Sequence, residues 1–159
     1  MRSWFKPLVA VGVAGACLAG AAAPAVAEVA LYASRPSNFS FSTPTALVPL
    51  NGGGATSLTF TFRETRRGWR IITFSAECAV AAVSGSFGAW VDIDILVDGV
   101  PVSPTNQSSD AFCSSNGTTG FDGWATQSIT VAKRLGRDAH TIEIQARLNG
   151  ATGGWISDT

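Results

Sequence analysis

The sequence predicts an all-β fold: a single antiparallel β-sandwich, jelly-roll-like, following an N-terminal signal peptide. Three observations predict it. Past residue 27 no apolar run repeats at the helical period, and apolar and polar residues alternate with period two instead. Clusters of Gly, Pro, Asn and Ser interrupt that alternation often enough to delimit about eight or nine short strands. Two cysteines, Cys78 and Cys113, remain as an even pair in a chain marked for export.

The export signal comes first. Arg2 and Lys6 give a basic start, Leu8 to Ala23 is apolar, and Ala25-Val26-Ala27 offers small residues ahead of Glu28. This order of basic, apolar and small-residue segments marks a secretory signal cleaved after Ala27, with no membrane span afterwards. A retained anchor is the first alternative, although Ala and Gly make the segment weakly apolar. A lipoprotein on Cys17 is the second, against which the residue three places upstream is Ala14 rather than Leu. Residues 28–159 are then one domain by length, large enough to bury a core.

Within that domain Val29 to Ser34 is the first strand candidate, followed by a weaker extended piece at Phe39 to Phe41. Thr45 to Leu50 follows, with Pro49 marking a bend. Asn51-Gly52-Gly53-Gly54 turns the chain into Ser57 to Arg63, where Leu58, Phe60 and Phe62 share one face. Glu64 to Gly68 is expected to be a hairpin turn, solvated by Arg63, Arg66 and Arg67 with Arg70 just beyond. Trp69 to Val80 is a long strand with Ile72, Phe74, Ala76, Cys78 and Val80 in register, so Cys78 points to the core.

Ala89 to Val97 puts Val91, Ile93, Ile95 and Val97 on one face. Asp98-Gly99 is a two-residue hairpin signal leading into Val100 to Val102. Pro104 to Asp110 and Asn116 to Gly123 read as polar loops around a short strand, Ala111 to Ser114. Trp124 to Val131 precedes a turn at Lys133 to Asp138. His140 to Leu148 alternates most regularly: His140, Ile142, Ile144, Ala146 and Leu148 face one way, Thr141, Glu143, Gln145 and Arg147 the other. A last piece begins at Trp155-Ile156; its early stop raises the expectation of truncation at the C-terminus and of a sheet edge left open.

The turn and strand from Gly136 to Leu148, with its His-Thr-Ile-Glu-Ile run, resemble the late long strand of extracellular jelly-roll modules. The Ile95-Leu96-Val97-Asp98-Gly99-Val100-Pro101-Val102 hairpin is similar to those of the same modules. Together they resemble secreted bacterial β-sandwich proteins of a carbohydrate-binding-like kind. The resemblance implies a fold class and transfers no catalytic residue, since fold alone does not fix function.

Charge excludes one class of partner. Eleven basic and eleven acidic residues balance, and the signal removes two of the basic ones, so no basic face for nucleic acid is expected. No nucleotide-binding glycine loop or HExxH motif occurs, so no cofactor or metal is expected. His140 is the only histidine. It begins an apolar-periodic strand face and reads as a structural, hydrogen-bonded residue. The cysteines read as disulfide-bonded and so unavailable as nucleophiles.

Asp92 and Asp94 share a strand face, about 7 Å apart at two strand steps. A two-carboxylate glycosidase would suit that separation, but the expected role is a charged, solvent-facing side. With Asp98 they also echo an acidic calcium loop, although two of the three sit inside a strand rather than a turn. Strand parity places Trp90 with these acids, opposite the apolar face. It places Trp124 with Thr126, Ser128 and Thr130, and Trp69 with Ile71, Thr73, Ser75 and Glu77.

A ring on a polar face offers a flat apolar surface to a sugar or to a protein, with hydroxyls and carboxylates beside it. The expected function is therefore an exported, non-catalytic binding or surface-interaction domain, and no enzyme. Trp90, Trp124, Asp92 and Asp94 are its candidate ligand residues, and a glycan or protein surface its candidate partner. The alternatives are a structural secreted protein that assembles through a sheet edge and, third, a glycan-active enzyme.

Overall fold

The computed structural model describes residues 33–34, 37–52, 55–82, 88–102, 111–117, 120–121 and 124–157. The signal segment and most of the strand expected at Val29 to Ser34 lie outside them; Ala33 and Ser34 are not in a strand. Leu31–Thr159 forms one compact unit. Its strands are β1 (Phe39–Phe41), β2 (Thr45–Leu47), β3 (Leu50–Gly52), β4 (Ala55–Ser57), β5 (Phe60–Arg63), β6 (Gly68–Ala82) and β7 (Trp90–Val97). They continue with β8 (Val100–Pro101), β9 (Ala111–Ser114), β10 (Gly120–Phe121), β11 (Ala125–Leu135), β12 (Ala139–Asn149) and β13 (Gly153–Ser157). No helix occurs among the described residues, and so none long and apolar enough to cross a membrane.

Two antiparallel sheets face each other. The first runs β1-β13-β6, with β10 and β11 end to end along the far edge of β6. In the second, β12 carries β2 and β5 on one edge and β7 on the other, and β7 in turn carries β8 and β9. Joining the collinear pieces gives eight lanes in the order 1-8-3-6 over 2-7-4-5. First pairs with last and second with next-to-last, which is the jelly-roll winding. β3 and β4 form a separate two-stranded antiparallel ribbon.

The pairing corrects one expectation. Glu64 to Gly68 is not a hairpin turn: β5 pairs with β12 and β6 with β11, so this segment carries the chain from one sheet to the other. Alternation marks a strand and its buried face but not its neighbour. The return crossing after β11 lies beside it, and Glu64 N–H donates to Asp138 O at 2.8 Å. Ser57 to Arg63 also divides in two. Ser57 Oγ donates to Thr59 O at 2.8 Å and accepts from Thr59 N at 3.2 Å. This local bond takes the backbone out of the ladder, and Leu58, expected on one strand face with Phe60 and Phe62, is left 47% exposed.

Smaller differences have local causes. Thr45 to Leu50 breaks at Val48-Pro49 into β2 and β3, where Val48 N–H turns to Ile144 O. Asn51 and Gly52 belong to β3. Strand β11 runs to Leu135, three residues into the expected turn, because Leu135 still faces the core. The loop Asn116 to Gly123 contains β10.

Every inward position the alternation assigned on β6, β7 and β12 beyond His140 packs against the core. The core joins Phe74, Ala76, Cys78 and Val80 of β6 to Val91, Ile93 and Ile95 of β7 and Ile144 and Ala146 of β12. The Cys78–Cys113 disulfide crosses between the sheets, with Cα atoms 6.0 Å apart. A bulge at Val91/Asp92 gives β9 an extra residue, so both Phe112 and Cys113 are buried in the core. At Asp98 and Gly99, φ is 55° and 74°, the pair of positive values that a tight two-residue hairpin with the natural strand twist requires.

Gly154 shows how closely the faces meet. A Cβ there would lie 2.7 Å from Phe41 Cζ and 2.9 Å from Val91 Cγ2. Gly154→Ala is expected to destabilise the domain by about 1–3 kcal/mol through overpacking, as measured by urea unfolding. A change under about 0.5 kcal/mol would show that the contact relaxes freely.

Candidate functional site

The residues singled out by alternation fall on two different surfaces. Trp90, Asp92 and Asp94 lie on the outer face of β7, opposite Val91, Ile93 and Ile95. Strand β12 supplies the neighbouring positions: Asn149 pairs with Trp90, Arg147 with Asp92 and Gln145 with Asp94. Trp124 instead precedes β11 in the other sheet. The four residues therefore form no common platform.

The acids are also not the solvent-facing charges expected. Asp92 and Asp94 are each only 3% exposed. Arg147 reaches directly across the ladder and diagonally: its Nη2 donates to Asp94 Oδ2, and its Nη1 lies 3.8 Å from Asp92 Oδ2. One guanidinium thus sits over two carboxylates, an arrangement a buried charge requires. Beside it Thr59 donates to Glu143 Oε1 at 2.9 Å. The indole nitrogen of Trp90 is sealed from solvent, so its polar edge is not offered to a ligand.

Arg147 was legible only in part. The sequence places it on the polar side of β12, but only the register reveals which acids it meets.

The open surface is the outer face of the first sheet. Along β6 and β11 its rows pair Trp69 with Arg134, Ile71 with Ala132, Thr73 with Thr130, Ser75 with Ser128 and Glu77 with Thr126. All of these except Glu77 are exposed, and Trp69 and Ile71, near the start of β6, are 67% and 70% exposed, high values for large apolar side chains. The Thr73 and Thr130 hydroxyls bond to each other at 3.0 Å. Trp124, 37% exposed, stands at the other end of β11.

Trp69 stands on a braced backbone. Arg70 Nη1 donates to Trp69 O at 2.9 Å, while Nε and Nη2 of the same guanidinium grip both oxygens of Glu64. That bidentate bond holds the Glu64 carboxyl below the usual carboxylate range and raises Arg70 above its own.

His140 is bound on both ring nitrogens: Nδ1 to Asp98 Oδ2 at 2.8 Å and Nε2 to Gly136 O at 3.3 Å. Both partners are acceptors, so the doubly protonated ring suits the site. The hydrogen bond to Asp98 raises the His140 pKa, and the same bond, with that from Thr141 N–H, lowers that of Asp98. The stability contributed by His140 is complete below its ordinary value of 6.5 and is lost as pH rises through the raised one. That of Asp98 is complete above 3.8 and is lost as pH falls through the lowered one. The pair therefore stabilises most between these ordinary values. Asp98 is half exposed, so the gain is about 0.5 kcal/mol. The melting temperature is expected to be higher at pH 5.5 than at pH 8.5, with a difference that shrinks in His140→Gln; an unchanged difference in that variant assigns it to other groups.

A cleft of about 200 Å³ lies where β6, β9 and β11 meet, lined by the disulfide, Phe112, Ala125 and Gln127 among others. Among the described residues no group of three or more His, Cys, Asp or Glu is placed to hold a metal. The fold defines a two-sheet jelly-roll domain. No protein-family model and no curated protein matches the chain.

Proposed function

We propose that this is an exported, non-catalytic binding domain whose contact surface is the outer face of β6 and β11. The observation that carries the reading is the exposure of Trp69 and Ile71, two residues apart on one strand face. An isolated exposed apolar residue needs no explanation, but a neighbouring pair on one sheet face favours contact with a partner. The basic-apolar-small N-terminus and the disulfide support export. Against catalysis, Asp92 and Asp94 are bound to Arg147, and His140 is held on both nitrogens.

The test is binding of the labelled mature protein to arrays of glycans and of extracellular proteins, run beside Trp69→Ala. A partner bound by the wild type and weakened about tenfold or more in the variant is expected. Wild-type protein that binds nothing at millimolar ligand rejects the reading.

Assembly is the second reading. Among the described residues, β6 has no partner strand on the β13 side from Gly68 to Ala76, and an unpaired edge accepts added strands. Light scattering that shows mass rising with concentration would favour it.

A further inference from the structure

We infer that the ligand of this face is an uncharged, extended polysaccharide, laid along β6 and β11 with one ring stacked on Trp69. The inference rests on the binding-domain reading and names its ligand class.

Three features converge on it. The rows from Trp69–Arg134 to Glu77–Thr126 span roughly 25 Å at the rise of a strand, the length of several sugar rings. Between the charged ends the exposed side chains are Ile71, Ala132, Thr73, Thr130, Ser75 and Ser128, none of them ionisable. A neutral, hydroxyl-bearing surface complements a neutral, hydroxyl-bearing polymer. An anionic ligand would need an array of cations, and a partner protein's apolar core would leave the Ser and Thr hydroxyls unpaired.

The second feature is order. Hydroxyls on paired strands are held at fixed spacing by the ladder, and Thr73 and Thr130 also bond to each other. A repeating ligand meets a repeating surface with little ordering to pay for. The third is the brace under Trp69. Arg70 holds its carbonyl while Glu64 holds Arg70, so the strand beneath the exposed ring is fixed before a sugar arrives. Sugar rings present axial C–H groups to an aromatic face, and an indole supplies the largest such face. Glu64 and Arg70 are positioning residues in this scheme and do not touch the ligand.

Affinity electrophoresis of the full exported chain through gels of hydroxyethyl cellulose, mixed-linkage β-glucan, xylan and mannan tests the inference, with anionic pectate as the charged control. Retardation by at least one neutral gel is expected, unchanged between about 0.05 and 0.5 M NaCl because no ion pair is involved. Trp69→Ala should weaken it about tenfold or more. The pair Thr73→Val and Thr130→Val, which keeps β-branched strand formers, should weaken it by a smaller factor. Glu64→Gln leaves the ring in place and should weaken binding a few-fold. Trp90→Phe, on the opposite sheet, should not alter it. Near-UV circular dichroism and the intact disulfide confirm that each variant is folded.

Retardation by pectate alone, lost in salt, overturns the inference, as does neutral binding that survives Trp69→Ala. A Trp69-dependent partner found only among the proteins of the array keeps the binding-domain reading and rejects the polysaccharide. Concentration-dependent dimerisation abolished by Ile71→Thr assigns the face to a second copy of the chain and likewise rejects it.

Discussion

Replacing Cys78 and Cys113 together with alanine is expected to remove about 4 kcal/mol of stability and to lower the melting temperature by about 10–15 °C. The bond closes a loop of 35 residues, and chain entropy sets most of that figure. Its position adds a second cost. Cys78 is fully buried and Cys113 nearly so, both within the core cluster, so two alanines leave sulfur-sized voids between the sheets. The bond also joins β6 to β9, which belong to different sheets. Urea unfolding of wild type with and without reductant separates the terms: reduction alone reports the cross-link, and the double variant adds the voids. A loss below about 1 kcal/mol on reduction would mean that the cross-link contributes little beyond the packing around it.

Arg147→Met is expected to destabilise the domain by about 3 kcal/mol, the second largest effect. Its guanidinium bridges Asp92 and Asp94, each 3% exposed. Removing the cation leaves two like charges at low exposure, and their desolvation is then no longer compensated by it. The triple variant Asp92→Asn, Asp94→Asn, Arg147→Met should recover much of the loss, because it removes the charges together. Unfolding at neutral pH measures both. Equal stabilities of the single and triple variants would show that the stem of Arg147, and not its charge, does the stabilising. The result also bears on function, because acids that anchor an arginine are part of the scaffold and not ligand acceptors.

Much of the fold was legible. Alternation on β6, β7 and β12 assigned their core faces, and Asp98-Gly99 marked its hairpin. The errors share one cause. A period-two pattern reports which side of a strand is apolar, but not which strand lies beside it or what covers the other side. Glu64 to Gly68 therefore read as a hairpin, and Asp92 and Asp94 read as open charges. Leu58 carried the right parity but lost its place to a hydrogen bond between near neighbours, Ser57 and Thr59. The candidate site was the least legible feature. Parity placed Trp69 among hydroxyls, yet it put Trp90 on a polar face too, beside two acids. Only exposure separates them, and exposure depends on residues distant in sequence.

What the sequence determined by itself is local: strand identity, inward faces, one tight turn and an even pair of cysteines past the N-terminal apolar segment. Each follows from steric and solvation preferences acting over a few residues. What the tertiary structure decided is non-local: the jelly-roll order of eight lanes, the placing of Arg147 over two acids, and the choice of the β6–β11 face as the open one. Register and sheet order arise from burying all the apolar faces at once. That minimum belongs to the whole chain, and no segment carries it alone.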